Sequence, residues 1–207
     1  HPDIVEYNAF KSTDGKNVEM ITSHFRGFFC EKDVKEKIIP CMLCDRNQRF
    51  YTFGVLPAVW SKIIKTDILR DNLCSEDKIT FGEDVACIYN SILECKSFYG
   101  IDIPLYYYRQ NSQSMTKAYD ARRFERLEVL FDYLNKELLR NNRLLKNQYD
   151  SYVLFCIFYA SLNEAKNNTS FRKMGKKFKS GLKRLDLENF VNETTIKIGI
   201  PWNVMLY

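Results

Sequence analysis

At 207 residues the chain can enclose one substantial apolar core or two small ones. Hydrophobic residues make up 45% and aromatics 14%, as in a globular protein, and only 8 Gly and 5 Pro exclude a large disordered share. The net charge of +5 is unevenly spread: residues 121–207 hold 16 Lys/Arg against 9 Asp/Glu, so the first 120 residues carry −2.

Residues 2–10 and 17–22 read as strands joined by Thr13-Asp-Gly-Lys16, an Asp-Gly hairpin signal. Lys32 to Asp45 suits a short helix bent near Pro40. Pro57 to Arg70 opens with Pro near the first helical position and reads as a helix. A helix over 84–96 follows, with Val85, Ile88, Tyr89, Ile92 and Leu93 at helical spacing. Short extended pieces come next, near 97–101 and 104–109. On a strand over 104–109, Leu105, Tyr107 and Arg109 share one face while Tyr106 and Tyr108 share the other. Asn111 to Thr116 is polar and aperiodic, hence a loop.

Beyond Ala118 the character changes, and the chain divides into an α/β portion, 1–118, and a basic helical extension, 119–207. Asp120 can cap a helix running to about Leu139, with Phe124, Leu127, Leu130, Phe131 and Leu134 on one face. Residues 148–166 form a second helix, apolar nearly all round and therefore central. Its longest apolar run, Tyr152 to Ala160, is far below the ~18 residues that span a bilayer. Ser170 to Leu185 forms a third helix, with Phe171, Met174, Phe178, Leu182 and Leu185 three and four apart.

Four short motifs stand in a fixed order: Trp60-Ser61-Lys62, Phe81-Gly82-Glu83-Asp84, Pro104-Leu-Tyr-Tyr-Tyr-Arg109 and Ser114-Met-Thr116. Together, across residues 2–116, they resemble the C-terminal half of bacterial family 2 glycosyltransferases of the GT-A fold. The resemblance implies an α/β fold class: the acceptor-side part of a GT-A fold, with short strands and helices, followed by the helical extension. It also implies inverting transfer of a sugar from a nucleotide-sugar donor to a glycan or lipid-linked acceptor in polysaccharide synthesis. Processive synthases similar to this family carry a Q-x-x-R-W signature after the acidic pair. Its absence here favours single-sugar, non-processive transfer.

Such a transfer needs a group to take the acceptor hydroxyl's proton, and a carboxylate at a helix start is both rigidly held and favoured as an anion. The resemblance gives that role to Asp84, with Glu83 orienting it or hydrogen-bonding the acceptor. Ordinary capping by acidic residues is the plainer alternative. Trp60, Tyr106 and Tyr108 offer flat faces for sugar rings, although sheet packing explains the tyrosines equally, and Trp60 suits a core better than a platform. Lys62 and Arg109 suit a donor diphosphate or an anionic acceptor. Ser114 lies in a loop placed to act near the acceptor, or as a lid.

The family holds a divalent cation, Mg or Mn, through a D-x-D motif on its nucleotide-binding half. This chain has no such motif; Asp71, Asp77 and Asp102 are isolated. The expectation is therefore an acceptor half of a longer enzyme, without cation binding or turnover of its own. The seven cysteines are scattered, as in a reduced cytoplasmic protein. Cys41-Met-Leu-Cys44 lacks the second pair or the histidines that zinc requires. Lys166 to Arg184 holds eight basic residues and no acid, opposite an apolar stripe. That pattern fits an anionic membrane surface as partner, at the inner face of the plasma membrane, or a helix docked on its own domain. The rival function is a non-catalytic helical module binding a membrane surface or a partner. Nucleic acid is not expected, since no binding motif accompanies the charge.

Overall fold

The computed structural model describes residues 1–45, 51–74, 79–110, 118–140, 142–167 and 169–187. The chain is mixed α/β, built on a five-stranded sheet centred on β1 (Ile4–Thr13). The Asp-Gly signal is realised: Asp14 and Gly15 take φ of 48° and 78°, the left-handed pair of a tight hairpin, and return the chain as β2 (Lys16–Met20). One edge of β1 is shared. Its second half pairs with β2, while Ile4, Val5 and Glu6 pair antiparallel with β4 (Lys62–Ile64).

On the other edge β1 runs parallel to β5 (Ser97–Arg109), which pairs antiparallel with β3 (Gly27–Cys30). Two expected extended pieces are therefore one strand. Pro104, which has no N–H to donate, is carried where the register against β1 shifts around Asn8.

The stretch after β3 is helical but irregular. It starts as α1 (Glu31–Asp33), widens into a π-type segment (Val34–Ile38) and tightens to a 3₁₀ turn (Ile39–Cys41) at Pro40. The helix expected over Pro57–Arg70 is not continuous. It consists of a single 3₁₀ turn (Val59–Ser61), then β4, then α2 (Thr66–Asp71). Lys62-Ile-Ile64 is drawn into the sheet by β1, a distant partner that local sequence cannot reveal.

Helix α3 (Glu83–Glu94) is the pivot, with Val85 through Ile92 all buried. On it packs α4 (Arg123–Glu137), which in turn carries α5 (Lys146–Ala165), and α6 (Phe171–Arg184) packs against both α4 and α5. The predicted α4 face is observed: Phe124, Leu127, Leu130, Phe131 and Leu134 are buried. Asp120 serves the start of α4 from just outside it, its carboxylate accepting the Arg122 N–H at 3.0 Å. One apolar cluster runs from Ile4 and Phe98 in the sheet through α3 to Leu127, Tyr152 and Ala160. The helices after residue 118 thus complete the core of the sheet portion. Among the described residues no helix is long and apolar enough to cross a membrane.

Candidate functional site

The acidic pair is presented by a glycine. Gly82 adopts φ of 75° immediately before α3, and a Cβ there would lie 2.5 Å from Leu130 Cδ2. Only glycine both turns the chain and admits α4 so closely. Phe81 before it is covered by the Arg123 guanidinium, 4.0 Å above the ring. Glu83 and Asp84 then occupy the first turn, Glu83 exposed and Asp84 half-buried.

Burial pushes the Asp84 carboxyl above the ordinary 3.8, and Glu83 beside it pushes the same way. A hydrogen bond from the Val59 N–H and the Lys62 ammonium pull it back without reversing the shift. Desolvation is the largest of these influences. The Val59 bond also joins Asp84 to the turn Val59–Ser61, whose next residue is Trp60.

Trp60 is half-buried and stacks on Tyr106 (centroids 4.9 Å apart, planes 17°) and on Tyr108 (5.2 Å, 16°). Its carbonyl accepts the Tyr7 hydroxyl at 2.7 Å. It is therefore not a core residue but the centre of a partly exposed aromatic stack, with Tyr106 39% exposed. The alternation along β5 holds. Tyr107 leaves this group and meets Phe10 at 5.2 Å, and Arg109 is exposed at the strand's end, without an ion-pair partner among the described residues. Ser114 lies outside the described residues.

Lys62 departs from expectation. Its ammonium is fully buried, 3.0 Å from the buried carboxylate of Glu6, and it also donates to Leu56 O at 2.5 Å and Ser61 Oγ at 2.9 Å. Desolvation lowers its pKa, with Glu6 and Asp84 opposing. It cannot reach a diphosphate in this arrangement. Instead it is a fixed positive charge between two carboxylates. Glu6 was missed in the sequence; a lone acid amid the apolar run Ile4-Val-Glu-Tyr7 is the signal that marks it.

Asp102, expected to be isolated, accepts from Arg26 Nε at 2.8 Å and Asn8 Nδ2 at 3.0 Å. Cys41 is a protonated thiol, raised in pKa by burial and donating to Lys37 O at 3.2 Å. Among the described residues no group of three or more His, Cys, Asp or Glu side chains is placed to hold a metal ion. The cleft between α4, α5 and the end of α6, about 390 Å³ and lined by Asp132, Tyr149 and Asp186 among others, does not touch Asp84. The structure therefore brings Asp84, Trp60, Lys62, Tyr106 and Tyr108 into one connected neighbourhood and leaves Arg109 and Glu83 at its margins. No protein-family model matches the chain, and no curated protein matches it at a significant level.

Proposed function

We propose that the chain is the acceptor-side portion of an inverting, non-processive nucleotide-sugar glycosyltransferase, with Asp84 as the general base. The observation that carries the reading is a half-buried carboxylate of raised pKa at the start of a buried helix, bonded to the turn that holds the aromatic stack. A base works best when its pKa approaches the working pH while it stays ionised. A modest upward shift from 3.8 serves both needs.

In the proposed step the acceptor O–H proton passes to the Asp84 carboxylate as the acceptor oxygen bonds the anomeric carbon. The bond from that carbon to the donor diphosphate breaks on the opposite side, and its electron pair leaves with the diphosphate. Configuration inverts. Trp60, Tyr106 and Tyr108 offer the acceptor sugar apolar ring surface at little rotamer cost. Lys62, locked to Glu6, does not bind phosphate; its charge favours the ionised form of Asp84 only as a minor influence against burial and Glu83. Glu83 orients Asp84 or meets the acceptor, and Arg109 is the cation left for an anionic group on the substrate.

The family's Mg or Mn belongs to a D-x-D absent here, and the described residues do not fit such an ion, so no step above depends on it. Nucleotide-sugar donors place the reaction in the cytoplasm. The rival, a non-catalytic module in which Asp84 merely caps the 59–61 turn, has the Val59 bond in its favour. The two part on Asp84→Asn, which keeps an acceptor for that bond. Assayed as sugar transfer in the full-length protein, the variant should lose ~100- to ~10,000-fold in kcat with little change in acceptor KM. Unchanged kcat would leave the capping role alone.

A further inference from the structure

Helix α6 sorts its cations by direction. Lys177 lies 3.5 Å from Glu164 and bonds the Tyr119 hydroxyl, while Arg184 lies 2.7 Å from Glu128 and 3.8 Å from Glu125. These two cations, though partly exposed, are paired with carboxylates of the body of the protein. Arg172, Lys173, Lys176, Lys179 and Lys183 are exposed and have no acidic partner among the described residues. At 100° per residue, Arg172, Lys176, Lys179 and Lys183 fall on one line along the helix, a ridge roughly 16 Å long. Lys173 flanks it.

The arrangement penalises the helix. Arg172 and Lys173 stand in the first turn, where the helix field repels cations. The pairs 172/176 and 179/183 place like charges at i,i+4. Lys183 gains from standing in the last turn, but the first-turn and i,i+4 repulsions meet no acidic partner among the described residues, a local conflict of the kind found at functional sites.

The apolar stripe, meanwhile, is already used. Met174, Phe178 and Leu182 are half-buried, Phe178 and Leu182 against the shared core, and Gly181 admits the Phe124 ring so closely that a Cβ would lie 2.4 Å from it. Only Phe171, 88% exposed beside Arg172, stands clear. A helix immersed in lipid by its stripe is therefore excluded, since the stripe is docked.

We propose that the outer face of α6 is a docking surface for anionic lipid headgroups: the ridge adsorbs by charge and Phe171 enters the headgroup boundary. Four of the five cations are lysines, compact point charges suited to a diffuse field of headgroup phosphates, whereas bidentate phosphate or base-edge contacts favour arginine. This inference is independent of the transferase reading, because none of its residues belongs to the Asp84 neighbourhood.

The test is cosedimentation of the 207-residue chain with phosphatidylcholine vesicles, with and without about one-third phosphatidylglycerol, each cation contributing about fivefold in partition. Binding should require phosphatidylglycerol, weaken at high salt, and fall about 100-fold in Lys176→Gln/Lys179→Gln/Lys183→Gln. Should that variant melt early, Arg172→Gln/Lys173→Gln removes the first-turn clash, so it should melt no lower than the parent and bind about 25-fold more weakly. Equal binding to pure phosphatidylcholine, or undiminished binding by both variants, overturns the proposal. So does tighter binding to duplex DNA or RNA than to anionic vesicles at the same salt.

Discussion

Asp84 is held in a state the fold does not prefer. Its pKa is raised chiefly by burial and then by Glu83, so the folded protein binds that proton more tightly than the unfolded chain. The ionisation penalty is therefore absent well below 3.8 and fully present once pH exceeds the folded pKa. Asp84→Asn should remove it while keeping an acceptor for the Val59 N–H. The variant should then melt above the parent at pH 7, and the gap should close as pH falls toward 3.8. An Asn variant that melts lower at neutral pH would mean the carboxylate is there for structure. Lys62, paired with Glu6, is shifted in the opposite sense, its pKa lowered chiefly by burial. A buried ion pair of this kind contributes little net stability but fixes geometry, here the spacing of β1, β4 and the turn that Asp84 caps. The sequence shows Asp84 and Lys62 as residues but not this division of labour, because the desolvation that decides it comes from elements distant in the chain.

At the level of elements, what was legible is what local physics decides. The Asp-Gly hairpin, α3, α4 and the opposed faces of the 104–109 strand all follow from turn chemistry or periodicity. The segment 57–70 was misread because Pro57 and the following apolar residues satisfy a helix locally. Pairing of Lys62-Ile-Ile64 with Ile4-Val-Glu6 is non-local and wins. Trp60 was misread as core for a related reason: its partners, Tyr106 and Tyr108, lie on a strand more than forty residues on. The Phe81-Gly82-Glu83-Asp84 motif has an element-scale explanation, since Gly82 both turns the chain and receives Leu130. Gly82→Ala should destabilise by about 1–3 kcal/mol in urea unfolding, from positive-φ strain plus overpacking. Adding Leu130→Ala should not restore full stability, because relief of the clash leaves the strain. Gly82→Ala with parental stability would contradict this account of the motif.

At the scale of the molecule, the change of character near residue 118 is real in charge but not in packing. Gln148 of α5 is 2% exposed; its carbonyl accepts the Leu43 N–H at 2.9 Å and its amide donates to Ile39 O at 2.9 Å. Basic surface and shared interior thus coexist, and composition alone reports only the first. One cooperative unfolding transition is expected for the chain. Gln148→Leu should lower its stability by about 2–5 kcal/mol by orphaning those backbone groups. Two separate calorimetric transitions, one surviving the substitution unchanged, would restore a two-domain picture.

The most direct test of the Asp84 assignment is the pH dependence of kcat for sugar transfer by the full-length protein, parent beside Asp84→Asn. A base at Asp84 gives the parent an acid limb with its midpoint above 3.8 and leaves the variant slow and without that limb. If the variant keeps both the parental rate and the acid limb, another group takes the proton and Asp84 is only the cap of the Val59 turn.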